Sequence, residues 1–144
     1  GLAQAYVLWA SEQFLVEIER VVDARPDDLG GALEDAFRVF LELAAEHPLI
    51  RALEAATGAE GLHALVASSA GLPILLTSTD RLTDFVLGNW PQLPADETRL
   101  VCELLVRLAI SHATVPTVTP AVAAEQVSVV LRPFLDQVAA ALPG

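Results

Sequence analysis

The chain has 144 residues, enough for one domain with a core of its own. Eight basic residues, all arginine, stand against 19 acidic ones, a net charge of −11, and such a surface repels a phosphate backbone, which excludes nonspecific nucleic-acid binding by this segment. The hydrophobic share is high at 53%, but charges, prolines and glycines interrupt every apolar run before the roughly 18 residues of a membrane span, and no basic-then-apolar leader opens the chain.

Strand signals are nearly absent and helical spacing dominates. The first helix is expected over about Gln4 to Asp23. Val7, Phe14 and Val21 repeat every seven residues, as do Leu8, Leu15 and Val22, with Ile18 between them. Arg25-Pro26 ends it, because the residue before proline is pushed out of helical geometry. A second helix is expected over Asp28 to Glu46, capped by Asp27 or Asp28, with Leu33, Phe37, Phe40, Leu41 and Ala44 on its buried face. His47-Pro48 stops it. Two short segments follow, Leu49 to Ala56 closing at Gly58, and Ala59 to Ala70 closing at Gly71. The next helix runs from about Pro73 to Trp90-Pro91. Its centre, Thr77-Ser78-Thr79-Asp80, is built of residues that compete for backbone hydrogen bonds, so it predicts either a break or a weak middle.

The last third carries two long helices, Ala95 to Thr114 and Pro120 to Leu142, the second capped by Thr119 with Pro120 at its first position. In the former, the charges Asp96, Arg99, Glu103 and Arg107 lie on one line, three or four apart, where neighbours can pair. In the latter, Pro133 removes a backbone donor inside the helix and predicts a kink. Both helices are apolar around more of their circumference than one packing stripe requires. The simplest second partner is the same pair from another copy, so a homodimer is expected through Val101, Leu104, Leu108, Val127, Val130, Leu131, Phe134 and Val138. The whole reads as one all-α domain over 1–144, an antiparallel bundle of about six to seven helices.

Catalytic chemistry finds no support. Ser68 and Ser69 lack the Gly-x-Ser-x-Gly elbow, and Gly30-Gly31 has neither the lysine nor the preceding strand of a phosphate loop. His47, His63 and His112 are too far apart to form a metal motif, and the carboxylate pairs sit at helix starts or on solvated faces. The chain is therefore read as no enzyme, with no cofactor and no metal. The lone Cys102 is read as a buried, inert thiol, in keeping with a cytoplasmic setting. Aromatic placement suggests a small-molecule pocket. If the helices enclose a cavity, Phe37, Phe40, Leu41, Phe85, Leu105 and His112 are its expected walls.

Three stretches together resemble a known family. Glu46-His47-Pro48-Leu49-Ile50-Arg51-Ala52-Leu53 resembles the junction after the second effector-domain helix of TetR-type transcriptional regulators. Glu103 to His112, followed by Pro116 and Pro120, resembles their penultimate helix, and Val130-Leu131-Arg132-Pro133-Phe134-Leu135 their last. The resemblance implies an effector-binding and dimerisation domain, with a cavity among the first, second, fifth and sixth helices and a first helix that connects to a DNA-binding head. That basic helix-turn-helix head is absent before Gly1. The chain has no methionine and its first helix opens without a cap, so a preceding segment is expected, with initiator removal before glycine as the alternative. The expected partners are a second copy, an effector that the apolar walls suggest is lipophilic and uncharged or weakly charged, and DNA only through the missing head; no membrane partner is expected. A free-standing interaction module with a tightly filled core is the rival reading.

Overall fold

A computed structural model describes residues 2–46 and 71–140, and these form five α-helices and no strand. They are α1 (Leu2–Asp23), α2 (Leu29–Glu46), α3 (Gly71–Asn89), α4 (Ala95–Thr114) and α5 (Pro120–Ala140). The all-α expectation holds. The two short segments expected between Leu49 and Ala70, together with His47 and His63, lie outside the described residues, so five helices stand where six to seven were expected.

The local sequence explains the element boundaries. After α1 the chain turns through the amides of Ala24 and Arg25, which bond to the carbonyls of Val21 and Val22, and Pro26 prevents continuation. Asp28 rather than Asp27 caps α2: its Oδ1 accepts the Gly31 amide at 2.9 Å, satisfying one of the orphan donors of the first turn. A Cβ at Gly31 would fall 2.2 Å from Asp28 Oδ2, so the cap closes over a position that glycine keeps empty. Thr119 Oγ1 accepts the Val122 amide at 3.3 Å at the start of α5. Pro94 occupies the cap of α4 without a side-chain bond, and Asp96 and Glu97 in the first turn offset the positive helix end.

The α3 helix is continuous through Thr77-Ser78-Thr79-Asp80, which settles the expectation of a break or a weak middle. Thr83 Oγ1 donates to the Thr79 carbonyl at 2.6 Å, so its hydroxyl is absorbed within the helix instead of diverting the backbone. Apolar anchors on both sides, Ile74 and Leu82, supply the burial that outweighs low intrinsic propensity.

Packing centres on α2, which contacts α1, α4 and α5, while α3 lies against α4 and α1. One core cluster joins Leu33, Phe37 and Leu41 of α2, spaced one turn apart, to Leu82 and Val86 of α3, Val101, Cys102 and Leu105 of α4 and Ala123, Ala124 and Leu135 of α5. A second joins Leu15, Ile18 and Val22 of α1 to Ala32 and Ala36 of α2. Val7 and Leu8 of the expected α1 heptads lie outside the described side chains.

Polar ties fix the helix ends. Trp90 Nε1 donates to the Pro26 carbonyl at 3.0 Å, holding the α1–α2 turn against the end of α3. Arg25 reaches Asp35 at 2.6 Å and Asp28 at 3.2 Å, and Arg132 of α5 approaches Asp28 at 3.7 Å. Of the charge line on α4, Glu103 and Arg107 pair at 3.6 Å, but Arg99 turns away from it to Asp80 of α3. Helix α5 runs through Pro133 and is described to Ala140, short of the expected Leu142. Pro133 leaves the carbonyl of Val129 without its helical amide donor.

Candidate functional site

Four helices line a partly open apolar cavity of about 80 Å³. Phe14, Leu15 and Ile18 enter it from α1, and Leu33, Ala36, Phe37 and Phe40 from α2. Ile74, Ser78 and Leu82 come from α3, and Leu105, Val106, Ala109 and Ile110 from α4. Each set follows helical spacing: Leu33 and Phe37, Ile74, Ser78 and Leu82, and Leu105 and Ala109 recur every four residues, so each helix lends one stripe. Among the described wall residues Ser78 alone has a polar side chain, and its hydroxyl has no hydrogen-bond partner in the described protein.

Aromatic contacts stiffen two walls. Phe14 and Phe40 meet edge to face at 5.5 Å, closing the α1–α2 corner. Phe37 meets His112 edge to face at 5.9 Å. Across the α1–α3 gap, Arg81 joins Glu12 and Glu19, two turns apart on α1, the latter at 3.4 Å. Trp90–Pro26 thus holds the C-terminal end of α1 and Arg81 its middle.

Of the six expected wall residues, Phe37, Phe40 and Leu105 line the cavity. The other three stand elsewhere. Leu41 is buried in the main core cluster, Phe85 packs against the α1–α2 cluster, and His112 lies against Phe37. Phe14, Ile18, Ile74, Ser78 and Ile110 were not among the expected walls. Heptad spacing marked Phe14 and Ile18 as buried without indicating against what, and Ser78 sat in a run that read as a weak helix centre. The cavity beside Phe37 is at odds with a tightly filled core, the mark of the rival module reading.

The expected dimer residues divide into two groups. Val101 is 5% exposed and belongs to the chain's own core, which corrects its assignment to an outer face. Val127, Leu131 and Val138 are half-buried against that core. Leu104, Leu108, Val130 and Phe134 do face outward, at 37% to 73% exposure. Leu100, Val122 and Val129 join them. Leu100, Leu104 and Leu108 thus form an outer stripe on α4, about 100° around the helix from the buried stripe of Val101, Leu105 and Ala109.

Cys102 is 1% exposed, and burial pushes its thiol pKa up to about 11, a chemically quiet group. Thr79 Oγ1 on α3 is buried without a partner. No cluster of His, Cys, Asp and Glu suited to a metal ion occurs among the described residues. No described helix is long and apolar enough to cross a membrane.

Residues 28–133 match the family model of the bacterial Tetracyclin repressor, C-terminal domain. The chain belongs to the TetR family. The TetR-type repressor AlkX of Dietzia sp. strain DQ12-45-1b, described as implicated in biodegradation of n-alkanes, superposes with a TM-score of 0.79 at 32% identity, over 96% of this chain and 72% of that one. The HTH-type transcriptional regulator AlkX of Mycobacterium tuberculosis is 23% identical over 137 residues. That alignment takes in 95% of this chain but 64% of the relative's length. The matched model is that of the C-terminal domain of this family of transcriptional regulators, and the chain spans under two thirds of the length of the curated relative.

Proposed function

We propose that this chain is the effector-binding and dimerisation domain of a TetR-type regulator, acting in the cytoplasm, and that its effector is a lipophile of little or no charge held among α1, α2, α3 and α4. The observation that carries the reading is the apolar cavity itself: thirteen aliphatic or aromatic residues and Ser78 surround it. Such a lining rewards burial of hydrocarbon and offers an ion nothing to pair with. The n-alkane association in the printed description of the Dietzia repressor supports the same ligand class.

At about 80 Å³ the cavity is smaller than the roughly 300–1,000 Å³ of a drug-sized site. A lipophile longer than a few carbons therefore has to part the walls. This size difference supplies the mechanism. A ligand that fits only a parted arrangement binds that arrangement better, and the difference in affinity shifts the population toward it. Helix α1 supplies one wall and would lead to the DNA-binding head of the whole protein, so parting the walls moves the head. The second half of the proposal is a homodimer through the outward residues of α4 and α5, Leu104, Leu108, Val130 and Phe134, with Leu100, Val122 and Val129.

The test is thermal unfolding with and without N-phenyl-1-naphthylamine, an uncharged apolar probe, alongside the mass in solution by light scattering. Ligand at about 100 times its Kd stabilises by about 2.7 kcal/mol, several degrees in Tm at this chain length. A melting curve unmoved by the probe at its solubility limit overturns the effector reading. A monomeric mass at tens of micromolar overturns the dimer.

A further inference from the structure

We infer that Ser78 is the specificity-determining residue of the cavity, and that the natural ligand is a hydrocarbon chain bearing a single hydrogen-bonding oxygen. This rests on the reading of the cavity as a lipophile site. Ser78 lies midway along the α3 wall stripe, one turn after Ile74 and one turn before Leu82, which are only 4% and 9% exposed. By pattern alone it occupies a position for another aliphatic residue. A helical serine at such a place ordinarily hides its hydroxyl by bonding to the carbonyl one turn back, as Thr83 does to Thr79 and Thr114 does to Ile110 in this chain. Ser78 does not: its Oγ bonds to no described group.

The hydroxyl is therefore an unspent donor and acceptor on an otherwise apolar wall. An occupant without oxygen strips water from that group and gives nothing back, whereas one with a hydroxyl or carbonyl restores the bond. The cost of an unpaired polar group on the site then discriminates between ligands of equal hydrophobicity. The neighbouring cation cannot take this role, because Arg81 is bound on the α1 side by both Glu12 and Glu19.

The test measures binding of n-octane and 1-octanol to the wild-type chain, Ser78→Ala and Ser78→Thr, by displacement of N-phenyl-1-naphthylamine and by thermal stabilisation. Comparing the two ligands across variants cancels their different hydration. Ser78→Ala should weaken 1-octanol relative to n-octane by about two- to tenfold, the range of one net hydrogen bond. Ser78→Thr, which keeps the hydroxyl, should retain most of the wild-type preference. An unchanged octanol-to-octane ratio in Ser78→Ala overturns the assignment while leaving the cavity reading intact. If neither compound displaces the probe or stabilises any variant, the cavity reading fails and takes this inference with it.

Discussion

Val130→Glu separates the two kinds of apolar residue on the final helices. Val130 is 73% exposed in the single chain, so its replacement removes no packing there and should change monomer stability by no more than about 0.5 kcal/mol. In a dimer the same side chain is covered. Complete burial of a valine is worth about 1.5–3 kcal/mol, so covering the exposed three quarters contributes about 1–2 kcal/mol per copy. A twofold interface uses the residue twice, giving about 2–4 kcal/mol per dimer, before the cost of desolvating two glutamates. The dimer Kd should rise by at least roughly 30- to 1,000-fold. Sedimentation velocity over a concentration series reads that change, and circular dichroism melts read the fold. Val101→Ala is the counterpart. At 5% exposure, Val101 should cost about 2 kcal/mol of chain stability and leave the dimer Kd unchanged. A Val130→Glu chain that dimerises as tightly as wild type, or a Val101→Ala dimer that dissociates without loss of stability, would refute this division of inner and outer residues.

Three further outcomes follow from particular contacts. Phe37→Ala removes a ring that is 4% exposed and shared by the cavity wall and His112, and should lower unfolding free energy by about 3–5 kcal/mol in denaturant titration. Asp28→Ala removes the α2 cap and should cost about 1 kcal/mol. The Gly31 amide, then Arg132 and Arg25, hold the Asp28 carboxyl below its ordinary pKa of 3.8. Its contribution is therefore present above that value and is lost as pH falls through the depressed one, so stability measured from pH 6 downward should decline less steeply in Asp28→Asn than in wild type. Cys102, with its pKa near 11, should resist iodoacetamide at pH 8 in the native chain and react promptly in urea. Because that pKa is raised, its contribution to stability is complete below the unfolded thiol value of about 9 and is lost as pH rises toward 11.

Helix ends were the most legible feature of the sequence. Thr119-Pro120 placed the start of α5 because a cap and a proline act within one turn, without help from the rest of the fold. The α3 centre was ambiguous because the energies that decide it are tertiary: burial of Ile74 and Leu82 and the position of Thr83 cannot be read from the composition of Thr77-Ser78-Thr79-Asp80. A wide apolar circumference announced that α4 and α5 have two apolar sides. It did not say which side the chain keeps for itself, and Val101 fell on the inner one. The cavity posed the hardest case. Phe14, Phe40, Ser78 and Ile110 come from four separate helices, and periodicity gives each a face but no common point. Arg81, bridging 62 and 69 residues back to Glu19 and Glu12, is likewise invisible to any local rule.

The most direct test of the account is a methyl NMR titration of the Leu, Val and Ile side chains with N-phenyl-1-naphthylamine. Saturable shifts at Leu15, Ile18, Leu33, Ile74, Leu82 and Leu105, with Val129 and Val130 unmoved, are the predicted result. Shifts confined to the outward residues Leu104, Val129 and Val130, or no saturable shifts at all, would contradict it.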